Sequence, residues 1–536
     1  MTPDYDVVTV DGAMPERFTL FNSTRSRVLS VVATGALALS ALVAGAPAAA
    51  DDVLDAGDRL YVNPTSTTLQ AAASLTGQAR ADAQLLGSFP SANWFTKGTP
   101  AEVQTQVNAV VTAAAADGSV PVLVAYNLPF RDCAQYSAGG AADTAAYAAW
   151  IDAFAAGIGN RDAVVILEPD GLGIIPWYTT VNGAQEWCQP AELDAATAAS
   201  DRFVQLNHAV DALGALSKTA VYLDGTHSGW LGVGDISDRL IKAGVARADG
   251  FFLNASNYVT TDRLTRYGSW VSDCVYLASN SWYQAQWCGS QYYPASPNDT
   301  STWGLTDAAY DQAFADTGLT RNAAVQKHFV IDTSRNGLGP WTPPAGVYAD
   351  AEDWCNPPGR GLGIAPTTTT GNALIDAFLW IKVPGESDGQ CYRGTAGPLD
   401  PARGIADPAA GAWFAVQARE LISLAQPVVA AQACHVSYTV HGSWPNGSTN
   451  QVTIKNTGTT AVSGWDLRWS FSSSEKITNL WSGSSTQLGS AVSVKNLDWN
   501  KTIAAGASVT FGWNASGSVG AEPLLFTLNG KPCTSD

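Results

Sequence analysis

Four aspartates follow four apolar runs of the sequence, each shortly after the point where its run ends. They are Asp132, Asp170, Asp224 and Asp388. Carboxylates that share one site raise each other's pKa, so at least one of them should stay protonated near neutral pH. A protonated acid beside an ionised carboxylate can protonate a leaving group and polarise water. With tryptophans to stack on pyranose rings, this pattern indicates the hydrolysis of a glycosidic bond.

Other interpretations of these residues are more ordinary. A single Asp at the end of a strand is most often a helix N-cap, and His328 and Asp332 fit that role. His227 is either a core imidazole or a contact for substrate or for a carboxylate, and Arg131 beside Asp132 fits a surface ion pair. The sequence contains no glycine-rich phosphate loop, no H-E-x-x-H segment and no G-x-S-x-G segment, which disfavours the reactions that those motifs carry out.

The apolar runs alternate with helical stretches between about Leu60 and Ala425. The predicted strands are Val120–Tyr126, Ala163–Glu168, Thr219–Leu223, Gly250–Asn254, His328–Ile331 and Asp376–Lys382. The predicted helices include Asp143–Ile158, Ala191–Leu216, Thr261–Val275 and Gly411–Leu424. Such alternation predicts an α/β fold with parallel strands, either a barrel or an open sheet. In both architectures functional groups gather at the carboxyl ends of the strands, where the four aspartates stand.

The texture of the sequence changes after Ala431. Residues 434–533 are rich in Ser, Thr, Gly and Trp, show almost no helical pattern and contain short strand-like runs separated by turn residues. These features predict an antiparallel β-sandwich of about 100 residues. The linker that precedes it, residues 426–433, is short.

The N-terminus and the cysteines indicate the cellular compartment of the protein, and its overall charge limits its binding partners. Arg25 and Arg27 precede the apolar run Val28–Val43, and Ala48–Ala50 offers a small-residue cleavage site, so residues 1–50 are predicted to be a signal peptide, with Met14 as a possible true start. The chain of 536 residues carries a net charge of −18, which disfavours nucleic acid and membrane surfaces as partners. The eight cysteines, even in number and without a C-x-x-C pair, favour disulfides in an extracellular protein over a zinc site.

The segments around the aspartates resemble those of a known family. Tyr126–Cys133 and Val165–Asp170 are similar to the two signature segments of glycoside hydrolase family 6, the inverting β-1,4-glucanases. Leu223–Trp230, Asp353–Gly361 and Lys382–Asp388 are similar to further blocks of the same family. The resemblance covers about residues 60–425. It implies a distorted parallel β/α barrel and a cellulase. The clustered acids suffice for hydrolysis, so no metal or cofactor is expected, and the protein is expected to be an extracellular monomer.

The resemblance also implies roles for individual residues. Asp170 would be the general acid. Asp132 would hold the pKa of Asp170 up, Asp388 would be the candidate base, acting directly or through a water chain, and Asp224 would help to bind and distort the sugar. The implied substrate contacts are Trp94, Tyr126, Arg131, His227, Trp230, Asn257, Trp354, Lys382 and Glu386. Family members carry disulfides that match Cys133–Cys188 and Cys355–Cys391, while Cys274–Cys288 would be an extra bridge in an insertion that runs to about Leu319.

The C-terminal unit resembles a family 2 carbohydrate-binding module. The resemblance rests on its terminal cysteines, Cys434 and Cys533, which would form a disulfide, and on segments such as Asn456–Gly458 and Phe526–Gly530. It implies that Trp444, Trp481 and Trp499 form a flat exposed strip that docks on crystalline cellulose.

Three alternatives stay open at this point. Family 6 contains endoglucanases with an open cleft and cellobiohydrolases with a loop-roofed tunnel. The short loop after Cys133 favours an endoglucanase, whereas the 274–319 insertion and the segment 389–410 could cover part of the cleft. The chain could also be a non-catalytic cellulose-binding protein, which the four intact aspartates disfavour, or a hydrolase of another β-glucan or of xylan.

Overall fold

A curled sheet of seven parallel strands forms the centre of the larger domain in the computed structural model, which describes residues 54–429 and 433–535. The strands are β1 (Asn93–Phe95), β2 (Val122–Ala125), β3 (Ala163–Leu167), β4 (Thr219–Asp224), β5 (Gly250–Leu253), β6 (His328–Asp332) and β7 (Ile375–Leu379). They lie in sequence order across the sheet, and every neighbouring pair is parallel. Across the gap between β7 and β1, the Ala92 N–H donates to the Trp380 carbonyl at 3.0 Å. The predicted parallel α/β fold is confirmed, as a half-barrel.

The strands are continuous apolar runs because both faces of the sheet are covered. Val164 and Ile166 of β3 pack in the cluster inside the curl. Their neighbours Val165 and Leu167 pack in the larger cluster between the sheet and the helices. Because all seven strands are parallel, their carboxyl ends, and the loops that follow them, lie at the same rim of the sheet.

Nine helices connect or flank these strands in the described part of the chain. They are α1 (Thr67–Ser74), α2 (Gly77–Leu86), α3 (Pro100–Asp117), α4 (Thr144–Ile158), α5 (Ala198–Gly214), α6 (Val233–Lys242), α7 (Thr261–Asn280), α8 (Gly304–Thr317) and α9 (Ala415–Ser423). Within the described ranges, none of them has the length and apolar character that a membrane span requires. The predicted signal peptide, residues 1–50, lies outside the described residues.

The C-terminal module is a mostly antiparallel β structure. Its strands are β8 (Cys434–Trp444), β9 (Gly447–Asn456), β10 (Val462–Ser463), β11 (Asp466–Ser470), β12 (Lys476–Trp481), β13 (Ser484–Leu488), β14 (Ala491–Lys495), β15 (Thr502–Ile503), β16 (Ser508–Ser516), β17 (Phe526–Leu528) and β18 (Lys531–Ser535). Nine of them form one sheet that wraps around a core containing Trp465, Trp469 and Trp513. One pair, β8 with β18, is parallel, because the first and last strands run side by side in the same direction.

Four disulfides tie the fold. They join Cys133 to Cys188, Cys274 to Cys288, Cys355 to Cys391 and Cys434 to Cys533. These are the pairs that the resemblance implied. The first fixes the loop after β2 to the segment before α5, and the third lies beside the loop after β7, so two of the four brace the rim that carries the aspartates.

Candidate active site

A cleft of about 740 Å³ opens at the carboxyl rim of the sheet. Three of the four predicted catalytic aspartates line it: Asp132 after β2, Asp170 after β3 and Asp388 after β7. The cleft is also lined by each predicted substrate contact, namely Trp94, Tyr126, Arg131, His227, Trp230, Asn257, Trp354, Lys382 and Glu386. Side chains from seven separate loops or strands therefore meet at one surface, as the strand ends of a parallel sheet predict.

The backbone at this rim is unusual. Non-glycine residues adopt the left-handed conformation directly after four consecutive strands. They are Phe130, Asp132, Cys133, Glu168, Asp170, Thr226, Asn254 and Ser256, with φ between +49° and +69°. This conformation costs energy in residues with a Cβ, and it persists where the surrounding structure enforces it, often at functional sites.

Asp170 is a cleft carboxyl that tends to keep its proton. Burial raises its pKa well above the ordinary aspartate value, and the nearby carboxylates of Asp132, Asp224 and Asp388 raise it further. A carboxyl held protonated in this way can donate its proton to a leaving oxygen.

Asp132 stands beside Asp170 under mixed influences. Burial raises the pKa of Asp132, whereas the Tyr126 hydroxyl, Arg131 and Arg202 act in the opposite direction. Its Oδ1 atom is buried and has no hydrogen-bond partner among the described residues. Asp132 therefore keeps one oxygen that can accept a proton or a hydrogen bond.

Asp388 is held as a carboxylate. Burial acts to raise its pKa, but Arg335 and Lys382 outweigh burial, and the pKa of Asp388 is lowered. Arg335 Nη1 lies 2.8 Å from Oδ2, and Lys382 Nζ lies 3.3 Å from Oδ1. The Tyr258 hydroxyl and the Asn356 N–H donate to Oδ2 at 3.2 and 2.9 Å. A carboxylate has about four acceptor sites, so these donors leave Asp388 little capacity for another.

Asp224 lies behind the cleft and does not line it. Its Oδ2 accepts the N–H groups of Leu172 and Gly173 at 3.2 and 3.1 Å, and its Oδ1 accepts the Thr226 N–H at 2.8 Å. Burial raises the pKa of Asp224 to about 6 even though these bonds lower it. The contacts indicate that Asp224 positions the loop that carries Asp170, whereas the resemblance implied that Asp224 helps to bind and distort the sugar.

Glu168 is a second support that the sequence analysis did not single out. It is fully buried, and its carboxyl accepts the N–H groups of Asn127 and Leu128 at 2.9 to 3.1 Å. Burial raises the pKa of Glu168 to about 7. Since Glu168 precedes Asp170 by two residues, it ties the loop of the proposed acid to the loop that leads to Asp132.

The aromatic residues of the cleft are held by specific contacts. The Trp94 ring meets the Tyr126 ring edge-on, with the ring centres 5.3 Å apart, and Trp94 Nε1 donates to the Ile381 carbonyl at 2.8 Å. The Arg131 guanidinium covers the Tyr126 ring at 4.2 Å. Trp354 lies on the long loop between β6 and β7, 5.8 Å from the Tyr136 ring. These rings are thus fixed before a ligand arrives.

The polar contacts differ in character. Burial and Arg263 lower the pKa of His227 to about 4, so its imidazole is neutral, and its Nδ1 accepts the Gly229 N–H at 3.1 Å. Burial raises the pKa of Glu386, which hydrogen-bonds Thr67 of α1. Lys382 Nζ donates to the Ser387 carbonyl at 3.1 Å. Neutral and paired groups of this kind suit a hydroxyl-rich ligand better than an anion.

Sequence reasoning missed several residues of the cleft and its support. Tyr136, Trp187 and Tyr258 line the cleft, and Asn356 bonds the Asp388 backbone and carboxylate. Trp187 stands next to Cys188, whose bridge to Cys133 would have placed it near Asp132. For Tyr258 no local pattern in the sequence gives a comparable signal.

Comparisons with known proteins agree with this arrangement. Residues 55–425 match the family described as Glycosyl hydrolases family 6, and residues 434–533 match the family described as Cellulose binding domain. Endoglucanase A of Thermobispora bispora is 33% identical over 519 residues, which are 92% of this chain and 97% of that protein. A probable 1,4-beta-D-glucan cellobiohydrolase C of Neosartorya fischeri is 30% identical over 69% of this chain and 78% of that protein.

A solved structure is similar to the larger domain. An endoglucanase of Mycobacterium tuberculosis, in complex with a methyl cellobiosyl-thio-cellobioside, is 34% identical and superposes with a TM-score of 0.50. The match covers 69% of this chain and 98% of that chain. By the extent of the family match and of these relatives, the chain belongs to family 6 of the glycosyl hydrolases and is a glycoside hydrolase that carries a cellulose-binding module.

Proposed function

We propose that the protein is a secreted, endo-acting cellulase that hydrolyses β-1,4-glucosidic bonds with inversion and docks on cellulose through its C-terminal module. The observation that carries the catalytic part is the contrast between two carboxyls of one cleft. The pKa of Asp170 is raised by burial and by its neighbours, whereas that of Asp388 is lowered by two cations. When their environments shift the pKa values of two carboxyls in opposite directions, the carboxyl with the raised pKa is the acid and the other is its ionised partner.

Asp170 acts as the general acid. Its proton passes to the glycosidic oxygen as the bond to the anomeric carbon breaks, and the alcohol leaves neutral. The positive charge that develops on the sugar is stabilised by the ionised carboxylate of Asp388, which also lines the cleft. In an inverting reaction, water attacks the anomeric carbon from the opposite face and gives up a proton to a base.

Two carboxylates of the cleft, Asp388 and Asp132, are candidates for that base, and each meets only part of what the base requires. Asp388 is ionised, but its oxygens are occupied by Arg335, Lys382, Tyr258 and Asn356. Direct proton transfer to Asp388 requires one of these contacts to give way, so its action is electrostatic or passes through a further water. The Oδ1 atom of Asp132 has no hydrogen-bond partner among the described residues. Of the two carboxylates, Asp132 is therefore the one with a free position to accept the proton.

Binding rests on aromatic platforms and polar groups that form hydrogen bonds. Trp94, Trp230 and Trp354 offer ring faces to pyranose units, because sugar C–H groups pack on aromatic rings. Lys382, Glu386 and Asn257 supply hydrogen bonds to hydroxyls. These residues would thus bind β-1,4-linked glucosyl units, both in cellulose and in soluble gluco-oligosaccharides.

Internal cleavage is favoured over release from chain ends by what lines the cleft. No residue of the 274–319 insertion, which is fully described, belongs to the cleft lining. Of the segment 389–410, only Ala410 lines the cleft. The two segments that the sequence suggested as possible covers therefore contribute only Ala410 to the cleft lining, which supports an endoglucanase; a cellobiohydrolase is the alternative.

The test follows viscosity and new reducing ends together on soluble carboxymethylcellulose. We expect a steep fall in viscosity for each new end. New ends with little loss of viscosity, together with cellobiose from insoluble cellulose, would favour the cellobiohydrolase. Asp170→Asn should abolish turnover while binding to cellulose persists; equal turnover by wild type and this variant would overturn the assignment of the acid.

Export is part of the proposal. It is supported by the eight cysteines, all of which are paired in disulfides, since disulfides persist in oxidising compartments. The mature protein is expected in the culture medium as a monomer that begins at Asp51. N-terminal sequencing and sedimentation of the exported protein measure both points, and retention in the cell with an intact N-terminus would contradict them.

A further inference from the structure

Seven tryptophans in the described part of the chain have exposed side chains. They are Trp187, Trp282, Trp287, Trp354, Trp444, Trp481 and Trp499. Two of the seven line the cleft and three belong to the predicted strip of the module. The remaining two are Trp282, which is 61% exposed, and Trp287, which is 49% exposed. The function described above does not use them.

Trp282 and Trp287 stand in one short segment, residues 281–293, which we call the aromatic segment. It connects α7 to the region before α8 and carries two further exposed rings, Tyr292 and Tyr293. The segment contains no Lys, Arg, Asp or Glu, while it does contain Ser and Gln. Clustered exposed rings on a soluble protein are a liability unless they bind something. A neutral surface of rings and amides matches a neutral, hydroxyl-rich ligand.

The aromatic segment is held firmly in place. The Cys274–Cys288 disulfide joins it to α7. Gln291 is fully buried, and its Nε2 donates to the Ser228 and Leu231 carbonyls at 3.0 and 2.9 Å. The Tyr283 hydroxyl donates to the Trp287 carbonyl at 2.9 Å. The exposed rings are therefore pre-organised, which lowers the entropy lost when a ligand binds.

The aromatic segment adjoins the cleft. The Tyr292 hydroxyl donates to the carbonyl of Trp230 at 2.9 Å, and Trp230 lines the cleft. Next along, the turn at Ala285 packs closely on the start of α6: a Cβ at Gly234 would lie 2.4 Å from the Ala285 carbonyl. The aromatic segment therefore reaches the lining of the cleft at Trp230, through Tyr292.

We propose that the aromatic segment binds a single β-1,4-glucan chain where it leaves the cleft past Trp230, and so acts as an accessory site for long substrates. The proposal rests on the proposed function, since its ligand is the same chain that the cleft cleaves. A short oligosaccharide that fits within the cleft does not reach the segment, whereas a polymer does. The site should therefore affect the apparent affinity for polymers alone.

The test compares long and short substrates in the full chain. The background carries Trp444→Ala, Trp481→Ala and Trp499→Ala, so that the module does not mask a second site. In it, Trp282→Ala with Trp287→Ala should raise KM for soluble hydroxyethylcellulose by about 2- to 10-fold for each ring removed. The kcat on that polymer, and both constants for cellotetraose, should stay unchanged. Trp282→Phe with Trp287→Phe keeps two rings and should restore most of the affinity.

Leu305→Ala is the matched control, because Leu305 is a 55% exposed apolar side chain on the neighbouring α8. An unchanged KM for the polymer would overturn the proposal. Equal losses on cellotetraose and on the polymer, with a lower melting temperature, would also overturn it, because they would show a structural role.

Failure of the proposed function gives a different result. If the wild type cleaves neither substrate, the proposed function fails, but affinity electrophoresis in a gel containing hydroxyethylcellulose still tests the accessory site. Retardation that the two alanines weaken and the two phenylalanines preserve would support it, and retardation that is the same in all variants would contradict it.

Discussion

Arg335 and Asp388 form a buried ion pair under the cleft. Arg335 Nη1 lies 3.0 Å from Oδ1 and 2.8 Å from Oδ2 of Asp388, and the arginine side chain is fully buried. The two residues are 53 positions apart in the sequence. Arg335 and Lys382 together compensate the buried charge of Asp388, and the carboxylate in turn compensates the buried charge of Arg335, because an unpaired charge in such a place has lost its hydration without compensation.

Replacing Arg335 should shift the acid side of the pH profile. In Arg335→Met the strongest influence that lowers the pKa of Asp388 is gone, so that pKa rises and Asp388 becomes ionised only at higher pH. The acid limb of kcat/KM should move to higher pH, and stability should fall by about 3–5 kcal/mol. Profiles of kcat/KM against pH on carboxymethylcellulose measure the shift. Arg468→Met, at an exposed arginine of the module, is the control. If the acid limb of kcat/KM stays in place in Arg335→Met, Asp388 is not the carboxylate that must be ionised for catalysis.

Replacing Asp224 should shift the alkaline side. The negative charge of Asp224 is one of the influences that raise the pKa of Asp170. In Asp224→Asn this charge is absent, so the acid loses its proton at lower pH and the alkaline limb of kcat/KM should move to lower pH. Asp262→Asn, at an exposed aspartate of α7, should leave the limb where it is. A limb that moves to higher pH in Asp224→Asn would contradict the proposed acid.

Glu168 should make the folded protein less stable as the pH rises. Its pKa is about 7 in the folded chain against 4.5 ordinarily. Between these values the folded state holds a proton that the unfolded state has lost. The stabilising contribution is complete below pH 4.5 and is lost by about pH 7, on the order of 3 kcal/mol.

The variant Glu168→Gln tests this dependence. Because glutamine does not titrate, the free energy of unfolding in urea should fall less steeply between pH 4.5 and 7 than it does in the wild type. Glu192→Gln, at an exposed glutamate, should keep the wild-type slope. Parallel curves for wild type and Glu168→Gln would show that Glu168 is not the responsible group.

The module should separate binding from catalysis. Trp444, Trp481 and Trp499 are 50%, 41% and 71% exposed, whereas Trp465, Trp469 and Trp513 lie in the core. Replacing the three exposed tryptophans with alanine should weaken adsorption to crystalline cellulose by at least about tenfold. Activity on soluble carboxymethylcellulose should not change. Leu488→Ala, at another exposed residue of the module, controls for general surface effects, and undiminished adsorption of the triple variant would exclude the strip.

The sequence predicted six of the seven strands of the curled sheet, because each is an apolar run long enough to recognise. It missed β1, which has three residues, Asn93–Phe95, and is too short to show a pattern. The helices that it named as examples did not include α3, although Thr99 and Glu102 form a capping box whose spacing is visible in the sequence. In α5 the predicted start at Ala191 is wrong: the helix begins at Ala198, because residues 191–197 form turns.

For the site, the order of strands along the chain predicted which residues lie at the same rim. The sequence did not predict which side chains contact one another there. Strand ends placed Asp132, Asp170 and Asp388 at one rim. What a carboxylate touches there depends on distant loops: Asp388 meets Tyr258 across 130 positions. The position of Asp224 behind the cleft likewise follows from how two loops pack, which no spacing in the sequence encodes.

The left-handed residues at the rim have a consequence for engineering. A glycine would adopt the same conformation without the steric cost of a Cβ, so replacing Ser256 or Asp132 with glycine would relieve strain at the backbone. At Asp132 it would also delete a side chain on which the proposed chemistry depends. Selection for heat resistance alone would therefore tend to replace residues of the rim on which activity depends. Stabilising substitutions are better sought in the helices, far from these strand ends.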